Sequence, residues 1–368
     1  AFCAFRQHSK NRNDLPKLGG MNLLIGGSGF IGTNLAQLLS KDSFQILDKQ
    51  PSSEFPDQVH LSDVRIPSSF AEQLAGTEVV VLLAAEHRDD VSPISLYDEV
   101  NVNGARNVVE ALRKHGVQRL IFTSTVAVYG LNRNRPHETD AVNPFGHYGQ
   151  SKWQAEEVLR AWWQEAPDER ELVIVRPCVV FGKSNRGNVY NLLQQIVSGR
   201  FLMIGSGENR KSLAYIGNVA AFLKHLLDRP QPGYRLYNYV DSPDFTMNGL
   251  VLLVRREISD FEKFAKNPQE STRVRGPQEI LPSPPAKEEE SGMVRIPYWL
   301  GMLGGYGFDA LAKLSGRKLP ISSVRVQKFC ATTQFAAEKL QETGFVPPFT
   351  LDEGLRRTLA AEFGNGNV

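Results

Sequence analysis

The stretch MNLLIGGSGFIGTNL, residues 21–35, decides the fold, because glycines 26, 29 and 32 follow directly on an apolar run. An apolar strand, a glycine-rich turn and a helix N-terminus in this order are typical of a dinucleotide-binding unit. In such a unit Gly26 permits a tight turn, Gly29 lets the backbone approach a pyrophosphate, and Gly32 lets the helix pack close to the sheet. The spacing is one residue wider than G-x-G-x-x-G, so a plain strand-to-helix turn stays open as the alternative.

Short apolar runs rich in β-branched residues recur through the first half of the chain and alternate with segments of helical spacing. One helical segment is VNGARNVVEAL, residues 102–112. Nearly continuous apolar strands separated by helices predict a parallel sheet covered on both faces. The predicted fold class is α/β, a doubly wound parallel sheet of Rossmann type, which binds ligands at the carboxyl ends of its strands. The runs predicted as strands are MNLLIG from 21, SFQILD from 43, EVVVLLAA from 78, QRLIFTST from 118 and ELVIVRP from 171.

The sequence rhythm changes after about residue 182, where helical segments mix with short extended ones. We predict a nucleotide-binding domain over 21–182, which includes the catalytic residues, and a smaller C-terminal α/β substrate domain over 183–368. Residues 262–292 are polar and proline-rich, which is typical of a flexible insertion. Residues 1–20 are polar and basic and lack the apolar core of a signal peptide, so we interpret them as an N-terminal extension.

Composition excludes several classes of protein. The chain of 368 residues carries 42 basic and 40 acidic residues, and the net charge of +2 does not favour a nucleic-acid-binding surface. The three cysteines, Cys3, Cys178 and Cys330, lie far apart in the sequence and favour a reducing compartment, from which we predict a cytoplasmic location. Because the sequence contains neither C-x-x-C nor H-E-x-x-H, we predict no protein metal site.

One segment of the second half is apolar without being long enough to span a bilayer. It is PYWLGMLGGYGFDALAKL, residues 297–314, which glycines and Asp309 interrupt. We interpret it as a helix that packs on the protein or faces a partner, with a membrane-surface role as the alternative. The sequence therefore predicts no integral membrane segment.

Two aspartates follow the glycine turn at distances that suit a dinucleotide. Asp48 ends the second predicted strand, twenty-two residues after Gly26. A carboxylate there accepts hydrogen bonds from the ribose hydroxyls and repels a 2′-phosphate, which favours NAD over NADP, although the neighbouring Lys49 weakens that preference. Asp63 stands where a side chain could reach the adenine. The alternative for Asp48 is an aspartate that forms a turn at a strand end.

Tyr148 and Lys152 form the third element, in the stretch YGQSK. On a helix, residues four apart share a face, so the ammonium group of Lys152 lies near the phenol. This cation and the positive charge of a nicotinamide are both expected to lower the pKa of Tyr148. A tyrosine of this kind exchanges the proton of a substrate hydroxyl while a hydride moves to or from a cofactor. Ser124 and Thr125 end the fourth predicted strand, where their hydroxyls either hold a substrate oxygen or form a turn.

Together these elements resemble the extended short-chain dehydrogenase/reductase family, and within it the NAD-dependent nucleotide-sugar epimerase/dehydratase branch. The resemblance extends over residues 21–261 and 293–363. The matching residues and stretches are Gly26, Gly29, Gly32, Asp48, Asp63, LLAAEH from Leu82, NVNGARNVVEA from Asn101, STVAVYG from Ser124, Tyr148, Lys152, VRPCVVFG from Val175, LAYIGNVAAFL from Leu213 and LYNYVD from Leu236.

The resemblance assigns roles to particular residues. Thr125, Tyr148 and Lys152 match the catalytic residues, and Lys152 also matches the lysine that holds the nicotinamide ribose. Two groups of residues match positions that bind substrate in the family. One is Ser124 and Thr125, and the other is Lys211 or its neighbour Arg210. Cofactor contacts are implied for Gly26, Gly29, Phe30, Ile31, Gly32, Asp48, Asp63, Val64, Leu83, Ala84, Ala85, Asn101, Tyr148, Lys152 and Pro177, with Asn101 also supporting the active-site fold.

Departures from the family pattern narrow the reaction. Relatives that dehydrate carry an Asp-Glu pair directly after the catalytic threonine, and related decarboxylases keep the glutamate. Here these positions are Val126 and Ala127, neither of which can transfer a proton, so both reactions are disfavoured. Val179 replaces a frequent asparagine, and Gly217 and Asn218 replace the usual aspartates on the substrate side.

The resemblance implies an NAD-dependent epimerase acting at C4 of a UDP-hexose or UDP-N-acetylhexosamine through a transient 4-keto sugar. The alternative is a reductase or dehydrogenase of a 4-keto nucleotide sugar or another alcohol, sterol-like alcohols included. A third interpretation is a catalytically idle NAD-binding sensor, which has no need of the intact Thr125, Tyr148 and Lys152. By analogy with family members, the chain could also form a homodimer.

Overall fold

The computed structural model describes residues 20–88, 91–131, 133–266, 294–315 and 322–364, apart from the side chains of 261–266. Almost all of the predicted N-terminal extension, with Cys3, lies outside the described residues. So does the predicted insertion from residue 267 onward, while residues 262–266 belong to a helix.

The described chain contains twelve strands and ten α-helices. The strands are β1 (Met21–Ile25), β2 (Phe44–Asp48), β3 (Val59–Leu61), β4 (Thr77–Leu82), β5 (Arg119–Thr123), β6 (Glu171–Pro177), β7 (Val179–Phe181), β8 (Met203–Ile204), β9 (Arg210–Tyr215), β10 (Gly233–Tyr239), β11 (Asp241–Thr246) and β12 (Arg295–Ile296). The helices are α1 (Phe30–Ala36), α2 (Gly104–His115), α3 (Gly146–Gln164), α4 (Asn188–Val197), α5 (Ile216–Leu227), α6 (Met247–Lys266), α7 (Tyr298–Ser315), α8 (Ser323–Cys330), α9 (Glu338–Glu342) and α10 (Leu351–Phe363).

Seven parallel strands form the large sheet in the order β10-β6-β5-β4-β1-β2-β3. The five predicted runs are all strands of this sheet, and the prediction of a doubly wound, Rossmann-type α/β fold is confirmed. Successive side chains of a strand point to opposite faces, so each strand contributes to two apolar layers. In β1, Leu24 packs with Ile46 and Val79 on one face, while Leu23 packs with Leu47 and Val80 on the other.

Part of the chain after residue 183 also belongs to this sheet. Strand β10 pairs with β6 along seven residues and forms the edge, and α5 packs beside α1. The remaining elements form a smaller unit with a three-stranded sheet in the order β11-β9-β7 and a two-stranded sheet of β12 and β8. Its apolar core lies between α4, α6 and α10 and includes Leu193, Leu250, Val251, Leu355 and Leu359.

Two short helical segments lie at the edge of the large sheet where a ligand site is expected. A single π-helical stretch, Asp98–Asn103, leads into α2, and a short 3₁₀ helix, Val126–Tyr129, follows β5. Both lie beyond the carboxyl ends of the strands, where parallel α/β sheets bind ligands. Within the described ranges, no helix is both long and apolar enough to cross a bilayer.

Candidate active site

A cleft of about 2680 Å³ runs along the carboxyl ends of the large sheet and continues between the smaller sheets and α7. It brings together all but two of the residues assigned to the site from the sequence. The two that do not line it are Asn101 and Arg210. Those that do are Gly26, Gly29, Phe30, Ile31, Gly32, Asp48, Asp63, Val64, Leu83, Ala84, Ala85, Ser124, Thr125, Tyr148, Lys152, Pro177 and Lys211.

The glycine turn between β1 and α1 forms one end of the cleft. Gly26 has a φ of +85°, and a Cβ there would lie 2.4 Å from the backbone nitrogen of Ala84, so no other residue fits. A Cβ on Gly29 would meet only the Gly26 carbonyl, at 3.3 Å, so the backbone is open on the cleft side. Among the described residues no side chain caps α1 at Gly29, which leaves the first N–H groups of the helix for a phosphate. The turn fits a pyrophosphate.

Asp48 stands beside this turn at the end of β2. One carboxylate oxygen accepts a hydrogen bond from the backbone N–H of Ser28 at 3.0 Å, and the other accepts one from the N–H of Gln50 at 3.0 Å. Each oxygen of an ionised carboxylate can accept about two bonds, so capacity remains for two adjacent hydroxyl groups. The residues present therefore fit the ribose of a dinucleotide.

Asp63 is paired within the protein. Its carboxylate accepts from the guanidinium of Arg65, with Nη2 at 2.6 Å, and this contact lowers the pKa of Asp63. Arg65 also lies 3.7 Å from Glu99. An adenine at this end of the cleft would meet an Asp63–Arg65 ion pair rather than a single carboxylate.

Tyr148 and Thr125 face each other across the middle of the cleft. Thr125 Oγ1 accepts from the backbone N–H of Ala127 at 3.1 Å, which orients the hydroxyl, and it lies next to the Tyr148 phenol. Burial raises the pKa of Tyr148 to about 12, while the Thr125 contact lowers it. Without the cofactor, the lowering expected from Lys152 is absent, because desolvation of a phenolate exceeds the stabilisation by its neighbours. The lowering expected from the charge of a bound nicotinamide stays a prediction.

Lys152 lies one turn further along α3 and is 1 % exposed. Its Nζ stands 4.0 Å from the centroid of the Phe122 ring, and burial lowers its pKa to about 7. The charge of Glu156, on the following turn, acts in the opposite direction and raises the pKa of Lys152. Near neutral pH this lysine is therefore poised between its charged and neutral forms.

A buried polar network lies next to the candidate catalytic residues. Arg176 donates to both oxygens of Glu156, at 2.9 and 2.6 Å, and neither side chain is more than 1 % exposed. Ser124 donates to the same carboxylate at 2.5 Å. Arg176 also donates to the hydroxyl of Tyr129 at 2.7 Å, and that hydroxyl donates to Asn238 at 2.8 Å. The network links β5, α3, β6 and β10 at the level of the catalytic hydroxyls.

Sequence reasoning missed the Glu156–Arg176 pair, although a signal for it was present. Tyr148, Lys152 and Glu156 follow each other at intervals of four and therefore share one face of α3. A carboxylate on the buried face of a helix needs a cation. Arg176, which precedes Pro177, supplies this cation.

Asn101 acts inside the protein. Its amide donates to the Glu86 carbonyl at 3.0 Å and to Ser151 Oγ at 2.8 Å, while its oxygen accepts from the Glu86 N–H at 2.8 Å. Ser151 in turn donates to the Tyr148 carbonyl at 3.0 Å. Asn101 thereby ties the end of β4 to the first turns of α3, which carry Tyr148 and Lys152.

The two basic candidates on the substrate side differ in position. Lys211 lines the cleft, but its ammonium donates to the carbonyls of Ala331 at 2.6 Å and Lys328 at 3.0 Å, and so holds the end of α8. Arg210, the first residue of β9, is exposed and is not among the residues that line the cleft. Cationic residues of the wall that the sequence did not single out are Arg65, Arg88, Arg200, Arg325 and Lys328.

The departures from the family pattern have separate structural consequences. Val126, in the cleft wall after Thr125, is 7 % exposed and leaves an apolar surface beside the catalytic hydroxyls. Val179 lies in the wall and is 46 % exposed. Asn218 is fully buried, donates to the Phe349 carbonyl at 2.8 Å and accepts from its N–H at 3.0 Å. It closes a loop and does not touch the cleft.

Comparisons with known proteins agree with this geometry. Residues 22–239 match the model of the NAD-dependent epimerase/dehydratase family. The chain is 52 % identical over 342 residues to the N-acetyl-alpha-D-glucosaminyl-diphospho-ditrans,octacis-undecaprenol 4-epimerase of Escherichia coli O157:H7, covering 93 % of this chain and 95 % of the relative. It is 28 % identical to the UDP-glucose 4-epimerase of Vibrio cholerae, over 92 % and 94 % of the two chains.

The fold also has solved counterparts. The NAD complex of UDP-glucose 4-epimerase from Thermus thermophilus superposes with a TM-score of 0.64 at 21 % identity, over 95 % of this chain and all of the other. The predictions of an enzyme and of NAD as cofactor are confirmed at the level of the family. By its sequence match and its site, the chain belongs to the NAD-dependent epimerase/dehydratase family of extended short-chain dehydrogenases/reductases.

Proposed function

We propose that the protein is an NAD-dependent 4-epimerase whose substrate is an N-acetylhexosamine joined through a diphosphate to a polyprenol. The observation that carries the substrate class is the apolar end of the cleft. Beyond the catalytic residues, the cleft is lined by Leu202, Ile204, Leu300, Leu303 and Phe308. Four of these five are more than a third exposed, namely Leu202, Leu300, Leu303 and Phe308. A nucleoside offers little to such a surface, whereas an isoprenoid chain would cover it.

The similarity to the Escherichia coli enzyme supports the same substrate. That relative is named for a substrate with N-acetylglucosamine, a diphosphate and undecaprenol, and the chains align over almost their full lengths. The prediction of a C4 epimerase from the sequence agrees with this relative and with the Vibrio cholerae one. The UDP-sugar that the sequence suggested is the second candidate, which the Vibrio cholerae relative favours.

Tyr148 is the residue that moves the substrate proton. NAD, when bound, supplies reversible hydride acceptance at the sugar carbon, so that the carbon passes through a ketone and can be reduced from its other face. As the phenolate, the Tyr148 oxygen removes the proton of the 4-hydroxyl, and the phenol so formed returns it after the sugar has turned. The positive charges of Lys152 and of a bound nicotinamide would favour the phenolate. Thr125, which lies next to the phenol, would hold the same substrate oxygen.

The other residues hold the reactants and exclude competing reactions. The glycine turn and Asp48 would hold the pyrophosphate and ribose, and Lys152 would hold the nicotinamide ribose. Val126 and Ala127 offer no group to remove a proton from a neighbouring carbon, so loss of water from the ketone has no catalyst there. Cations of the wall, Arg88 and Arg200 among them, suit the substrate diphosphate.

The free thiols Cys178 and Cys330 support the cytoplasm as the place of the reaction. The test of the function is direct. Purified protein, with and without added NAD, is incubated with polyprenyl-diphospho-N-acetylglucosamine in detergent and, in parallel, with UDP-N-acetylglucosamine and UDP-glucose. The released sugars are then identified, and NADH is followed by absorbance.

Interconversion of lipid-linked N-acetylglucosamine and N-acetylgalactosamine without net change in NADH is the expected result. Conversion of the UDP-sugars alone would assign the second candidate and remove the role of the apolar end. Stoichiometric formation or consumption of NADH would instead identify the alternative dehydrogenase or reductase.

A further inference from the structure

Helix α7 carries its apolar side chains outward. A helix at a protein surface normally buries its apolar stripe and exposes charged residues. In α7 the reverse holds: Trp299 is 67 % exposed, Leu303 62 %, Tyr306 59 %, Leu311 51 % and Leu314 87 %. Successive turns bring these side chains to one broad side of the helix, since the helix repeats every 3.6 residues.

The inner side of α7 is made of small and polar groups. Gly305 is its buried residue, and a Cβ there would lie 2.7 Å from the Cα of Ser323 in α8. Asp309 accepts from the Ser323 hydroxyl at 2.5 Å and from its N–H at 3.2 Å. The only acidic residue of segment 294–315 is thus used to fasten α7 to α8, and no carboxylate is left for the outer side.

Basic residues flank this surface along the chain. Arg295 precedes α7 and Lys313 stands in its last turn, both exposed, and Arg325 and Lys328, which line the cleft, follow on α8. Neither 294–315 nor 322–331 contains an acidic residue other than Asp309. An apolar strip with a basic border is complementary to the interface of an anionic bilayer, which offers hydrocarbon below and phosphate above.

The surface also continues into the cleft. Leu300, Leu303 and Phe308 line the cleft from α7, while Trp299 and Leu314 on the same helix do not. A surface that lay on a bilayer would therefore place the apolar end of the cleft at the lipid. A second copy of the chain is a poorer occupant, because a symmetric contact would bring the same cations against each other.

We propose that the outer face of α7 (Trp299, Tyr306, Leu311 and Leu314) docks shallowly into the interface of an anionic lipid bilayer. The value of docking for catalysis rests on the proposed lipid-linked substrate, which the enzyme would then take up without extracting the polyprenol into water. The docking itself depends only on the surface. The helix lies in the plane of the interface and does not cross the bilayer.

The test compares two double variants with matched exposure. Leu311→Glu/Leu314→Glu places two carboxylates on α7, at side chains 51 % and 87 % exposed. Ile66→Glu/Val346→Glu places the same charges elsewhere, at side chains 52 % and 81 % exposed, and none of the four residues lines the cleft. Binding is measured by sedimentation with vesicles of phosphatidylglycerol and phosphatidylethanolamine, and with phosphatidylcholine alone, in the absence of substrate.

The expected result is that the wild type and the Ile66/Val346 variant bind the anionic vesicles equally, more weakly as salt rises. The α7 variant should bind about tenfold or more weakly, because two apolar side chains no longer enter the interface. Trp299 fluorescence should shift to the blue with vesicles, and Trp299→Phe should remove that shift. Turnover of detergent-dispersed substrate should be the same in both double variants.

Three results would overturn the docking proposal: wild type that stays in the supernatant, equal loss of binding in both double variants, or a dimer that only the α7 variant dissociates. The readouts also separate docking from the proposed function. If vesicle binding depends on α7 but lipid-linked sugar is not epimerised, docking stands and the proposed substrate fails. If the sugar is epimerised without vesicle binding, the reverse holds.

Discussion

The cleft lies between the large sheet, which we call the sheet wall, and helix α7, which we call the helix wall. The sheet wall buries charged side chains, whereas the helix wall exposes apolar ones. On the sheet wall, Glu156 and Arg176 are almost completely buried and satisfy each other through two hydrogen bonds within an apolar core. On the helix wall, α7 holds the half-buried Asp309 against α8 and exposes Trp299 and Leu314. The sheet wall completes its interactions within the chain. The helix wall leaves apolar surface that only something outside the described chain can cover. The sheet wall thus carries the candidate catalytic residues, and the helix wall carries the proposed docking surface.

The largest expected effect is on catalysis at the sheet wall. Tyr148→Phe removes the phenol proton and should lower kcat by about 10²–10⁴-fold, because general acid–base catalysis typically contributes that much. Tyr190→Phe, at a ring that stacks on Phe363 outside the cleft, is the matched control and should keep wild-type activity. The measurement is turnover of the true substrate at saturation. An active Tyr148→Phe enzyme would show that the catalytic assignment is wrong.

The next effect is on folding, also at the sheet wall. Arg176→Met leaves the Glu156 carboxylate buried without its cation, and the free energy of unfolding should fall by about 3–5 kcal/mol. Urea denaturation followed by circular dichroism measures it. Glu156→Leu combined with Arg176→Met removes both charges and should recover part of the loss. A double variant less stable than Arg176→Met would contradict the idea that the pair stabilises mainly by mutual neutralisation.

A pH-dependent effect is expected from the buried lysine. Burial lowers the pKa of Lys152 from 10.5 to about 7, so the folded protein binds fewer protons than the unfolded chain between these values. The stability of the cofactor-free protein therefore rises with pH across this window and is level below it. Lys152→Met should remove this dependence and stabilise the protein near pH 7 by about 4 kcal/mol, with almost no gain near pH 10.5.

The measurement for Lys152→Met is urea denaturation at a series of pH values, alongside the exposed control Lys313→Met. The control should stay within about 0.5 kcal/mol of the wild type. A gain for Lys152→Met that is equally large at pH 7 and at pH 10.5 would show that packing, and not the charge, is responsible.

The smallest expected effect is on the free energy of unfolding when exposed residues of the helix wall are replaced. Leu311→Glu/Leu314→Glu should change the free energy of unfolding by no more than about 0.5 kcal/mol per substitution, because both side chains already face water. Val173→Glu, at a fully buried position of β6, should prevent folding. Thermal unfolding in buffer checks both. A large loss of stability in the α7 variant would mean that α7 packs on the protein in solution.

Much of the sheet wall could be predicted from the sequence because its signals are local. The glycine turn, the five apolar strands and the spacing of Tyr148 and Lys152 each reflect a constraint within a few residues. The pKa of Tyr148 could not be predicted, because it depends on how completely the surrounding elements exclude water. Lys211 was expected at the substrate, yet its ammonium holds the end of α8, a contact between residues more than a hundred positions apart.

By itself the sequence determined the Rossmann-type order of strands and helices, the family and the cofactor, and it predicted the catalytic set. These follow from turn geometry, from period-two and period-3.6 patterning and from motifs that need little context. Only the tertiary structure decided that Arg176 neutralises Glu156, that β10 completes the large sheet, and which side of α7 faces outward. Apolar content shows that a helix has a surface to cover, but the direction of that surface depends on where its neighbours are packed.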